Sequence, residues 1–195
     1  MTVNVREDEI VDKLYGSSKD WVSVEVELDK QLDPSTLFHI TESQAGDRFY
    51  LRLNDNQSSY FGYHAIRKFE NDFENKQSIF KEWETLKKDI ELIHPDSEKH
   101  HLRLCGGFQF SKHKSDDEWR AYGLNHFVLP EVLISTENNR TFITYTTEKK
   151  TFEMDTFKSL VNDLEQANVD MEDDHLGNVT RMEDIYLDEW RDLVQ

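Results

Sequence analysis

The sequence predicts an α+β protein in which largely antiparallel strands carry two or three packed helices. Three observations lead there. In the run 21–28 Val22, Val24, Val26 and Leu28 alternate with Ser23, Glu25 and Glu27, the period of a strand. Further short runs between residues 48 and 147 are rich in aromatic and β-branched side chains. Two stretches, one opening at Asn71 and one at Asp155, instead space their apolar residues as helices do. Strands dominate and the helices pack on them, which defines the class.

Taken in order, Trp21 to Leu28 reads as a half-buried strand with one apolar and one wet face. Arg48 to Leu53 and Ser59 to Ile66 read as a hairpin across Asn54–Ser58, residues that tolerate tight turns. From Asn71, the residues Phe73, Ile79, Phe80, Trp83, Leu86, Ile90 and Ile93 share a helical face, with Asn71 and Glu74 as a reciprocal cap and Pro95 as the stop. Leu102 to Phe110, Trp119 to Gly123, Phe127 to Ser135 and Thr141 to Thr147 follow as a meander of antiparallel strands, Asn138-Asn139 turning the last pair. Asp155 to Ala167 is an amphipathic helix with Phe157, Leu160, Val161 and Leu164 on one side.

Composition limits what such a fold can do. The chain has 195 residues, 23 Lys+Arg against 40 Asp+Glu, a formal net charge of −17 and 36% hydrophobic residues. That apolar content suffices for one sizeable core and excludes wholesale disorder. The negative balance argues against nucleic acid or an anionic membrane surface as partner. No run approaches the roughly 18 apolar residues of a membrane span, and MTVNVREDEIVDKL has no secretory leader pattern, so a cytoplasmic location is expected. A single cysteine, Cys105, agrees with a reducing compartment.

The acid is concentrated near the end. Residues 163–192 hold 11 Asp+Glu against Arg181 and Arg191, a local balance of −9. This divides the chain into an α+β domain at 1–167, an acidic connector at 168–181 and a helix start at 182–195. In the last piece Ile185, Tyr186, Trp190 and Leu193 share a helical face, yet no Gly, Asn or Pro closes the helix by Gln195. The expectation is a chain that forms the front part of something longer.

Candidate chemistry is sparse. His94, His100, His101 and His113 lie close in sequence but match no metal motif, and they read as surface loop histidines. Asp170, Glu172, Asp173 and Asp174 lack a fixed coordination spacing and read as a solvated charge run. Gly106-Gly107 belongs to no phosphate-binding fingerprint, and close backbone packing or a bulge explains it better. Cys105 has apolar neighbours and no activating base, while Ser111 and Ser135 sit in no nucleophile elbow. The triplets at Asn56, Asn139 and Asn178 would accept glycans only in a secreted protein. Glu25 and Glu27 share the wet strand face and read as solubilising residues. No catalytic constellation, cofactor site or metal site is assigned to any residue of this chain.

The stretch Cys105-Gly106-Gly107-Phe108-Gln109-Phe110, then Trp119, then Phe127-Val128-Leu129-Pro130-Glu131-Val132-Leu133-Ile134 resembles a signature in the amino-terminal half of chorismate-utilising enzymes. Nearly the whole chain, through to Glu189-Trp190-Arg191-Asp192-Leu193-Val194-Gln195, is similar to the menaquinone-pathway isochorismate synthases of Gram-positive bacteria. The resemblance implies half of a chorismate-utilising-enzyme fold, with paired sheets and helices outside, and an isomerase converting chorismate to isochorismate. It also implies a lysine that activates water, a glutamate acid and magnesium held by further glutamates, all in a carboxy-terminal half. None of these can be carried onto a residue here. The expectation is therefore an inactive structural part whose partners are the catalytic half and, through open strand edges, a second copy of itself. Chorismate and Mg2+ would be bound only by the complete enzyme. A stand-alone acidic binding module derived from the same fold is the alternative, and an anthranilate- or salicylate-forming relative a third.

Overall fold

A computed structural model of the protein describes residues 6–32, 37, 47–53, 58–70, 76–94, 99–108 and 125–166. The order is α1 (Glu7–Gly16), β1 (Trp21–Leu28), β2 (Arg48–Arg52), β3 (Ser58–Phe69), α2 (Lys76–Lys88), β4 (Ile90–Ile93), β5 (Cys105–Phe108), β6 (Asn125–Glu137), β7 (Arg140–Glu148) and α3 (Met154–Gln166). The strands form one sheet in the order β2-β3-β6-β7-β1-β4, with β5 added to the first half of β6. Every pairing is antiparallel except that of β1 with β4. The α+β class and the largely antiparallel sheet are as the sequence predicts. No helix among the described residues is long and apolar enough to cross a membrane.

Two local geometries fix the sheet's register. Asn138 and Asn139 both adopt positive φ, at 52° and 63°, the conformation a two-residue hairpin turn requires between β6 and β7. Pro130 sits where β6 meets a register shift in β3 between Ala65 and Arg67. A residue with no N–H is tolerated there because the ladder is already interrupted.

One face of the sheet is covered by α1 and α3. Val22, Val24, Val26, Phe61, Ile134 and Ile143 meet Ile10 from α1 and Phe157, Val161 and Leu164 from α3 in the main core. A second apolar cluster joins α2 to the sheet through Phe69, Ile79, Leu86, Ile90 and Leu129. Between them the second face of β1, β7 and β6 carries a polar strip that the segment 99–104 crosses.

Two expectations are corrected, and one helix is unanticipated. The helix opening at Asn71 does not reach Pro95: it ends at Lys88, and Ile90–Ile93 pairs with β1 as a parallel strand. Ile90 and Ile93 stand three apart, a spacing that suits a helix face, but in the strand they serve different cores. The wet face of β1 is not wet, since Ser23 and Glu25 are buried beneath 99–104. The helix α1 has little sequence signal, because Glu7, Asp8 and Glu9 fill its first turn and Ile10 is its one buried residue. The Asn71–Glu74 cap, the turn at 54–57, Trp119–Gly123, Ala167, the connector 168–181 and the helix at 182–195 lie outside the described residues.

Candidate functional site

The polar strip is built by strand pairing. Glu25 on β1 stands opposite Thr144 on β7, and Ser23 stands opposite Thr146, so all four project from the second face. On β6, Ser135 pairs with Phe142 and with Tyr60 of β3, and Glu137 follows two residues later. Onto this face come Lys99, His100, His101 and Arg103. Of the residues singled out in the sequence, His100, His101 and Glu25 meet here, while Glu137 is not among them.

Glu25, at 1% exposure, accepts three hydrogen bonds. The backbone N–H of His101 donates to Oε2 at 2.7 Å, His101 Nδ1 donates to Oε1 at 2.8 Å, and Thr144 Oγ1 donates to Oε2 at 2.8 Å. Burial alone would favour the neutral acid, but the bonds and charge from His101 and the nearby His100 hold the carboxyl below its usual range. The His101 ring is 2% exposed and stacks on Phe142 at 4.5 Å between centroids. Its Nε2 lies 3.5 Å from Glu137 Oε2 and makes no hydrogen bond.

Glu137 gathers the rest of the cluster. Lys99 Nζ donates to Oε2 at 2.6 Å, Tyr60 donates its hydroxyl to Oε1 at 2.8 Å, and Arg103 Nη2 donates to Oε1 at 3.3 Å. Burial raises the carboxyl, yet the Lys99 and Tyr60 bonds outweigh it and bring Glu137 down to about 2. Burial and the same carboxylate push the Tyr60 phenol up to about 12. Arg103 also lies over the Tyr60 ring at 4.6 Å.

A carboxyl held at about 2 in the fold but near 4.5 when unfolded contributes stability above pH 4.5 and loses it as pH falls toward 2. Glu137→Gln is accordingly expected to flatten the acid limb of the stability curve between pH 4.5 and 2, read by circular dichroism in denaturant at each pH. An unchanged acid limb would show that Glu137 does not carry it.

Chemically this is a lock. A buried carboxylate orienting a histidine through Nδ1 is half of a nucleophile-activating arrangement. Ser135 Oγ lies buried on the same face, but it bonds neither His101 nor any other group. Among the described residues no nucleophile–base pair forms here, and each of the two carboxylates already accepts three hydrogen bonds. Among the described residues no three His, Cys, Asp or Glu side chains are placed to hold a metal.

The other candidates fall out as follows. His100 and His101 have buried side chains rather than surface ones, a correction explained by the partner each finds on β1, the Ser23 carbonyl for His100 and the Glu25 carboxylate for His101. Glu27 is partly exposed and forms a two-pronged pair with Arg140, through Nε at 2.7 Å and through Nη2. Burial pushes the Cys105 thiol up to about 12, so it is unreactive. Gly106 has φ of 154°, and a Cβ there would lie 2.0 Å from the His126 carbonyl oxygen, which is the close packing the sequence suggests. A cleft of about 710 Å³ at the start of β1 is lined by Ser17–Trp21 and Glu148–Lys150. Its lysines are taken up: Lys19 by the Ile90 carbonyl, Lys149 by the Ser17 carbonyl and Lys150 by Glu148. His113, Ser111, Asn56, Asn178 and the acidic residues 170–174 lie outside the described residues.

The sequence profile of the chorismate binding enzyme family matches residues 9–195. Among solved structures the chain is similar to MenF, the menaquinone-specific isochorismate synthase from Escherichia coli, at 11% identity and a TM-score of 0.47. That similarity covers 84% of this chain and 33% of the other, so the chain spans about a third of that structure's length. A comparison with curated protein sequences finds no match.

Proposed function

The chain belongs to the chorismate binding enzyme family, and from that premise we propose that it is the amino-terminal, structural part of an isochorismate synthase of menaquinone biosynthesis. Its role is to supply a rigid sheet beside which a carboxy-terminal half performs the conversion of chorismate to isochorismate. The observation that carries this reading is the family match across 187 residues (195 − 9 + 1), which takes in both parts of the glycine–aromatic signature. The two parts sit side by side as β5 and β6, with Cys105 opposite Val128 and Phe108 opposite Asn125. Gly106 is needed there for contact rather than chemistry, which supports a scaffolding role for the signature.

Magnesium belongs to the reaction as the family resemblance implies it, but the described carboxylates do not suit it. Glu25 and Glu137 already accept hydrogen bonds from His101, Thr144, Lys99, Tyr60 and Arg103, and among the described residues they form no group of three His, Cys, Asp or Glu side chains that a hard cation could use. The chain alone, incubated with chorismate and magnesium and followed by chromatography, is expected to form no isochorismate. Turnover by the purified 195-residue chain would overturn this reading.

A further inference from the structure

The described helices differ in charge. α1 holds one lysine against four acidic residues and α3 one against three, whereas α2 holds four lysines against two glutamates. α2 is thus the only net-positive helix among the described residues, in a chain of net charge −17. It also carries apolar surface that the core does not use. Ile79 and Leu86 belong to the second apolar cluster, but Phe80 is 51% exposed. Its ring lies 5.8 Å from that of Phe108 on β5 and 6.4 Å from that of Phe127 on β6, centroid to centroid, and those two rings are 4.8 Å apart. Phe108 and Phe127 are only partly buried, so the three rings form one contiguous aromatic patch, with exposed Lys81 and Lys88 on the same helix as Phe80.

We propose that residues 182–195 of this same chain, which lie outside the described residues, dock as an amphipathic helix across the Phe80–Phe108–Phe127 patch. Pattern, charge and reach select this occupant. Ile185, Tyr186, Trp190 and Leu193 share a helical face, the kind of surface that an exposed aromatic patch receives. Glu183, Asp184, Asp188, Glu189 and Asp192 against Arg191 give the segment a charge of −4, opposite in sign to α2 and the same as α1 and α3. The 15 residues 167–181 that join it to α3 span about 50 Å when extended, while six strands side by side are about 25 Å wide.

A second copy docked patch to patch would bring two positive helices together, which like charge opposes. The other exposed apolar group, Tyr50, Leu51 and Leu53, lies on and just after β2. β2 is the edge strand of the sheet, and such an edge takes an extended segment rather than a helix. The docking does not depend on the reaction proposed above.

Photo-crosslinking of the whole chain tests it. With Phe80→p-benzoylphenylalanine in an equal mixture of 15N-labelled and unlabelled chain, tryptic cleavage after Arg181 and Arg191 is expected to show the peptide Met182–Arg191 joined to position 80 of its own chain. The same label placed at Leu51 or Tyr15 is expected not to capture that peptide. Ile185→Asp combined with Trp190→Asp is expected to abolish the capture at position 80. Capture between chains assigns the patch to a second copy and overturns the proposal, as does capture of other peptides only, equal capture from Leu51, or capture retained in the double variant. Should the labelled chain fail to fold, carbodiimide coupling of the natural chain decides. An amide joining Lys81 or Lys88 to an acidic residue of 182–195 within one chain supports the docking, and the absence of any such link overturns it.

Discussion

Glu25→Ala is expected to lower the stability of the chain by about 3–5 kcal/mol, the range found when one partner of a buried ionic pair is removed. Three donors lose their acceptor at once: the His101 amide, His101 Nδ1 and the Thr144 hydroxyl. None can turn to water, because Glu25, His101 and Thr144 are all buried. Glu25→Gln should fall between the natural chain and Glu25→Ala, since an amide keeps the volume but offers one acceptor oxygen to donors on both sides. Glu27→Ala is the internal control. Its pair with Arg140 is solvent-exposed, and such pairs contribute at most about 1 kcal/mol. Equal losses at Glu25 and Glu27, measured by denaturant unfolding, would refute the distinction drawn between the two carboxylates.

That distinction also marks where the sequence stops being informative. The alternation in Trp21 to Leu28 identifies a strand with the observed bounds, and it places Glu25 and Glu27 on one face. What covers that face is a matter of residues about 75 positions away, which periodicity does not report. One signal was available: Lys99, His100, His101 and Arg103 put four basic or titratable side chains into five residues of a strongly acidic chain. A cluster of that kind needs carboxylate partners, and a carboxylate on an otherwise apolar strand is one place to find them. The helix α2 shows the same limit, because Ile90 and Ile93 fit a helical face and only the pairing with Val22 and its neighbours makes them a strand. Turn chemistry was more legible. Asn138-Asn139 predicted its hairpin from local conformational preference alone, and both residues take the positive φ that this requires.

Gly106→Ala is the second large effect expected. Its Cβ would lie 2.0 Å from the His126 carbonyl oxygen and 2.6 Å from the Phe127 Cα, both backbone atoms that cannot swing aside. A φ of 154° adds strain for any residue with a side chain. Together these should cost about 3–5 kcal/mol and separate β5 from β6. Gly107→Ala, one residue on, meets nothing within 4 Å and should cost no more than about 1 kcal/mol. The contrast is read from the midpoints of thermal unfolding. Matching midpoints would mean that the glycine pair is not held by the approach of β6, and the scaffolding account of the signature would lose its physical basis.

The proposed role is tested most directly by complementation. The 195-residue chain is mixed with a separately produced carboxy-terminal half of a matching isochorismate synthase, and chorismate consumption is followed in magnesium with each half alone as control. Activity only in the mixture is the expected result, since the scaffold and the catalytic residues would then be supplied by different chains. No association and no activity in the mixture, or turnover by this chain alone, would contradict it.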